Sequence, residues 1–210
     1  MFALVESGTI TQFPKGNKGI TLGENQYPAA IFGVAWTESE RNAIGVYTVE
    51  IDNTNKKDEK WYINTNITYA FGSGKVTGSY GTATAKAHAD TKWTQSEIDA
   101  GEAPTGADTN TVKEEGLKTV LIRQVKKQAE GILNETDWYV TRKSEKSTAI
   151  PSAITTHRDA VRTKQAEMET AITNASDTPA LETLYTIVNT ADEGDDPVYA
   201  RPIGVLPTLD

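Results

Sequence analysis

The chain has 210 residues, of which 37% are hydrophobic and 24% charged, with a formal net charge of −8 and no cysteine. That length suits one large or two small domains, and the balance of apolar and charged residues is that of a folded soluble chain, not a disordered one. The missing cysteines exclude disulfides, thiolate catalysis and cysteine-type zinc sites. The acidic balance, with no dense Lys/Arg cluster to offset it, argues against partners such as nucleic acid or an anionic membrane.

In chain order, Phe2-Ala3-Leu4-Val5-Glu6 and Thr9-Ile10-Thr11-Gln12-Phe13 are strand-like runs separated by Ser7-Gly8, the spacing of a two-residue hairpin. The apolar run Phe2 to Val5 is too short for a signal peptide or a membrane span and lacks a basic lead. Glycine and proline dominate 15–32, which reads as a connection over the surface. Thr37 and Glu40 have the spacing of a capping box, opening a short helix that ends at Gly45. The runs 46–51, 61–63, 68–71 and 75–80 are β-rich, the last two joined through Gly72-Ser73-Gly74, so 1–87 reads as a small, mainly antiparallel β domain. Trp93-Thr94-Gln95-Ser96-Glu97 repeats the capping chemistry within a stretch, 88–110, that reads as a linker with a short helix.

The periodicity then predicts a helix over 111–134. At 100° per residue, Leu117, Val120, Leu121, Ile122, Val125, Ala129, Ile132 and Leu133 share an arc about 220° wide. Gly116 and Gly131 fall inside this span, each at a cost of about 1 kcal/mol relative to alanine. A second helix starts at Pro151 and runs to 174, with a narrower stripe of Ile154, Val161, Met168 and Ala175 at heptad spacing, beside Gln165 and Ile172. Between them 135–140 reads as a turn that Thr136 or Asp137 caps and Trp138 closes, giving an antiparallel helical hairpin within 111–190. About eight buried aliphatic side chains cannot by themselves offset the ordering of that many residues, so the pair needs the rest of the chain, copies of itself or another protein.

The wide arc, with Leu121 and Ile122 on opposite edges, exceeds what the second helix can cover. Leu117, Val120, Leu121, Ile122, Val125, Leu133 and Trp138 are therefore the candidate partner-binding residues, and the chain is expected to form homo- or hetero-oligomers. A short helix over 179–184 precedes an extended tail, 191–210, in which Val198, Tyr199, Ile203, Val205 and Leu206 are too apolar for a free acidic chain and should dock on a neighbouring surface. The fold class read from these elements is α+β.

Chemistry-bearing motifs are sparse. Asp192, Glu193, Asp195 and Asp196 lack EF-hand spacing and read as a solvated loop. His88 and His157 have no partner pattern that would make either a base or a ligand, and glycines 72, 74, 78 and 81 form hairpin turns, not a phosphate loop. No cofactor, metal or catalytic role is assigned, and the expectation is a non-enzymatic protein.

Two groups of residues carry a resemblance. Met1-Phe2-Ala3-Leu4-Val5-Glu6-Ser7-Gly8, with Phe13-Pro14 and Ile44-Gly45-Val46-Tyr47, is similar to the opening of tailed-bacteriophage proteins encoded near tail fibres. Glu135-Thr136-Asp137-Trp138, Ile150-Pro151 and the segment from Arg158 to Arg162 resemble a domain of unknown function in phage tail-fibre assembly and tail-tip proteins. The resemblance implies a structural adaptor or fibre assembly factor that binds tail-fibre or baseplate proteins and resides in the virion tail after synthesis in the host cytoplasm. Fibre assembly chaperones of this kind usually end soon after the second helix, whereas this chain carries the extra tail 191–210, which favours a permanent virion component. The alternative is a host receptor- or glycan-binding module of the tail, for which Trp61, Tyr62, Tyr69 and Tyr80 would be the stacking residues.

Overall fold

The structure is a computed structural model describing residues 1–209, and it divides the chain into two units, Met1–Thr84 and Ala85–Asp210. Strands dominate the first and helices the second, which makes the fold class α+β.

The first unit begins with β1 (Phe2–Glu6) and β2 (Thr9–Gln12). Ser7 and Gly8 between them take φ of 51° and 79°, the left-handed pair that a two-residue turn of type I′ requires. The segment 15–32, expected as a surface connection, lies largely at the surface but is structured: β3 (Ile20–Leu22) and β4 (Asn25–Tyr27) form a hairpin, and Ala29–Phe32 a 3-10 turn. The reason is a pair of isoleucines that the glycine-rich composition obscured, Ile20 and Ile31, both buried in the core. Helix α1 (Glu38–Ala43) carries the full capping box, with the Thr37 amide donating to Glu40 at 2.8 Å and the Glu40 amide to the Thr37 hydroxyl at 3.3 Å.

After β5 (Val46–Asp52) come β6 (Tyr62–Ile63), β7 (Thr68–Gly72), β8 (Lys75–Ser79) and β9 (Thr84–Ala85). The sheet runs β2-β1-β5-β8-β7, and β6 and β9 form a separate two-stranded ladder. Within the large sheet β5 and β8 pair in parallel while the other pairings are antiparallel, because the chain crosses over through 53–67 and β7 before β8 returns beside β5. Period-two alternation gives the sheet a core on each face. Phe2, Leu4 and Val46 pack with Ile20, Ile31 and Phe32, whereas Ala3, Val5, Tyr47 and Val49 pack with Val76 and Phe71.

The second unit opens where a linker was expected. Strand β10 (Thr91–Lys92) pairs antiparallel with β11 (Val112–Glu114), and α2 (Gln95–Asp99) lies between them in sequence behind the Thr94–Glu97 capping box. Lys113 on β11 reaches the Glu97 carboxylate and sits 4.7 Å from the centre of the Trp93 ring. This ammonium and the Thr94 amide and hydroxyl pull the Glu97 carboxyl down to about 2. Helix α3 (Leu117–Asn134) therefore begins six residues later than its periodicity suggested. Gly116 is its N-cap, not an interior glycine: a Cβ there would stand 2.2 Å from the Ala89 carbonyl carbon, and the Gly116 amide donates to Asp90 at 2.7 Å. The next two amides, of Leu117 and Lys118, donate to the carbonyls of Ala87 and His88, so backbone of 87–90 satisfies donors that a capping side chain usually takes.

Helices α4 (Asp137–Lys146), α5 (Ser152–Asn174) and α6 (Thr178–Tyr185) follow, then β12 (Val188–Asn189) paired with β13 (Tyr199–Ala200). Contacts at both ends make α3 and α5 antiparallel. Lys118 Nζ donates to the Thr173 carbonyl at 2.9 Å, and Arg158 donates to the Leu133 carbonyl at 2.8 Å. The α5 stripe of Ile154, Val161, Met168, Ile172 and Ala175 is buried.

Candidate interaction surface

The α3–α4 corner is built from two turns of sequence and one arginine. Thr136 is 3% exposed and Arg158, on the apolar stripe of α5 between Ile154 and Val161, is 7% exposed. A guanidinium in that position needs its donors satisfied. It gives them to the Leu133 carbonyl at 2.8 Å, the Thr136 hydroxyl at 2.6 Å and the Asp137 carboxylate at 2.7 Å. The turn expected over 135–140 is thus only Glu135 and Thr136, and Asp137 starts a helix in place of ending a loop.

Trp138 does not close the corner, as the turn reading required; Arg158 does. The indole stands outside, 52% exposed, because the first turn of α4 faces it away from α5 while Asp137, one residue earlier, meets Arg158. Its ring centre lies 3.7 Å from that of Tyr139, and the Arg142 guanidinium sits 4.8 Å from one ring centre and 5.2 Å from the other. This aromatic–cation stack presents a large apolar side chain to water.

The other candidate residues separate by depth. Leu121 and Val125 on α3 are buried, and Leu117, Val120, Ile122 and Leu133 are half-buried. Part of the remaining arc is met from within the chain. The tail turns at Arg201–Gly204, burying Ile203, whose amide donates to the Leu184 carbonyl at 3.0 Å. Val125, Gln128, Met168 and Tyr185 line a cavity of about 220 Å³ beneath this turn. The tail is consequently hairpin and turn, not a simple extended strand, and Ile203 docks on its own helical unit. The exposed large apolar residues of this unit are Trp138 and Val140 on α4, Val112 on β11, and Ile187, Val188, Val198, Tyr199, Val205 and Leu209 beyond α6. None lies on α3.

The residues of the glycan-stacking alternative differ in exposure: Tyr62, Tyr69 and Tyr80 are half-buried. Trp61 is 3% exposed and covered by Lys60 at 4.3 Å, so it cannot stack on a sugar. Tyr69 packs on Phe13 at 4.7 Å, and Lys57 and Lys56 lie over Tyr62 and Tyr80 at 6.0 and 5.6 Å. Among the described residues no group of three or more His, Asp or Glu is placed to hold a metal ion, and no helix is long and apolar enough to cross a membrane.

Sequence reasoning placed Trp138 in the candidate set and missed Tyr139, Arg142 and the Arg158 corner. The signal for Arg158 was present: an arginine four residues after Ile154 and three before Val161 falls on the buried stripe, where it demands acceptors. No family model matches the chain, and neither a curated protein nor a solved structure matches it.

Proposed function

We propose that the protein is a non-enzymatic bacteriophage tail protein that binds tail-fibre or baseplate subunits, as a structural adaptor or a fibre assembly factor, with the α4 face as its docking surface. The observation that carries the reading is Trp138, exposed yet stacked with Tyr139 and Arg142 on a helix that Arg158 anchors. Tryptophan and arginine on a rigid element are the residue types that dominate protein–protein affinity. The resemblance supports the partner class, since Thr136, Asp137 and Arg158, which help carry it, are the residues that build this anchored corner.

Purified virions analysed by mass spectrometry separate the two versions: stoichiometric presence identifies an adaptor, and absence together with fibre maturation in its presence an assembly factor. In a pull-down of fibre or baseplate subunits, Trp138→Ala should weaken retention by about 2 kcal/mol, roughly thirtyfold in Kd, while leaving the melting temperature almost unchanged. If the wild-type chain is absent from virions and retains no tail subunit, the reading fails.

A further inference from the structure

The α4 face is not only aromatic. Trp138, Arg142 and Lys146 recur at every fourth residue, with Tyr139 and Lys143 beside them, so one face of a short helix is aromatic at its N-terminal end and cationic at its C-terminal end. None of these three cations makes an ion pair among the described residues. The Nε of Arg142 is closed off from solvent and has no acceptor.

Elsewhere in the same unit is a surface of the opposite composition. Asp192, Glu193, Asp195 and Asp196 lie between β12 and β13, and they too make no ion pair among the described residues. They are followed at once by Val198 and Tyr199, which are 56% and 69% exposed. The acceptor of charge and the apolar anchor thus occur together, as the donor of charge and the aromatic stack do on α4. Cations and carboxylates left unpaired within one chain, each beside its own exposed aromatic, are matched when two chains meet.

We propose that in the free protein the α4 face binds the acidic β12–β13 hairpin of a second copy of this chain, with Tyr199 against the open side of Trp138 and the carboxylates against Arg142, Lys143 and Lys146. The inference rests on the α4 face being a protein-docking face, as argued above, and names its occupant before a tail subunit displaces it. Because the two surfaces differ, the contact is head to tail and propagates into a ring or an open chain. Single-stranded nucleic acid also favours aromatic and cationic side chains, but three cations on a chain of net charge −8 favour an acidic protein segment.

The test is sedimentation velocity of the full chain at concentrations up to about 100 μM, in about 0.01 M and about 1 M salt, where the Debye length falls from about 30 to about 3 Å. Self-association at low salt that disappears at high salt is expected. The double variants Lys143→Glu/Lys146→Glu and Asp195→Lys/Asp196→Lys should each weaken it at least about tenfold, and an equimolar mixture of the two should associate again. Trp138→Ala should weaken it with helicity retained, which separates lost contact from lost folding. A monomer at both salts, association that ignores both double variants, or a mixture that stays monomeric overturns the proposal. So does an oligothymidine probe that binds the wild type but not Lys143→Glu/Lys146→Glu while the protein without the probe stays monomeric. Retention of tail subunits by a chain that never self-associates would sink this inference and leave the proposed function standing; self-association without tail-subunit binding would do the reverse.

Discussion

Each unit is closed by one arginine, and the two are used differently. In the strand-rich unit Arg41 donates to three backbone carbonyls, those of Trp36 at 2.6 Å, Gly33 at 3.4 Å and Ile31 at 3.5 Å, and lies 5.6 Å from the centre of the Phe2 ring. It makes no ion pair among the described residues. In the helical unit Arg158 joins a carbonyl, a hydroxyl and a carboxylate. The difference follows from what each must hold. The segment 29–36 has little regular structure and several carbonyls without ladder partners, which the two hydrogens of Arg41 Nη1 share. The α3–α4 corner has regular helices on both sides, so its orphan groups are few and the arginine is left with room for a counter-ion. A fixed, always charged guanidinium can therefore organise a loop by its backbone or a helix corner by its side chains.

The largest effect that would sharpen this contrast is expected at Arg158. Arg158→Ala removes a charge-assisted network and leaves the buried Thr136 hydroxyl without that partner, and should cost about 2–4 kcal/mol in denaturant unfolding of the helical unit. Lysine should recover only part of this, because an ammonium lacks the fork. A loss below about 1 kcal/mol would mean that apolar packing of α3 on α5, not the corner, holds the unit. Next is Arg41→Ala, expected to cost about 1.5–3 kcal/mol and to be read as faster amide exchange confined to 29–36. Exchange that rises equally throughout the sheet would show that the arginine supports the whole core and not the loop.

The smallest effect concerns the two capping boxes, which are alike in sequence but not in surroundings. Glu40 is held below the usual carboxylate range mainly by the Thr37 amide and hydroxyl, whereas Glu97 is held at about 2 mainly by Lys113 and then by Thr94. A folded-state pKa below the unfolded value contributes stability that is present above about pH 4.5 and lost as pH falls from there towards about 2. Amide protection across α2 and β11, taken relative to the intrinsic exchange rate at each pH, should fall in that window, and Glu97→Gln should remove the pH dependence. Protection that is flat from pH 5 to about 2 in the wild type would show that the Lys113 contact does not persist in solution.

Where the elements are local, the residues alone were legible. Ser7-Gly8 and Gly72-Ser73-Gly74 announced their hairpins, Thr37/Glu40 and Thr94/Glu97 their helix starts, and the heptad from Ile154 to Ala175 the buried side of α5. The candidate surface was half legible: Trp138 stood out, but its exposure could not be read, because a tryptophan beside a turn is as suited to closing a core as to facing water. Gly116 was misread for a similar reason. As a composition it weakens a helix, and only the approach of Ala89 to 2.2 Å from a would-be Cβ shows it as a start site.

By itself, then, the chain determined its turns, caps and amphipathic periods, since each depends on residues within one or two turns of one another. The parallel pairing of β5 with β8, the burial of Ile20 and Ile31, the docking of Ile203 beside Leu184 and the outward face of Trp138 were decided only by the tertiary structure. Those outcomes depend on which distant segments compete for the same apolar surface and the same backbone donors, and that competition is settled when the whole chain is packed, not within any window of its sequence.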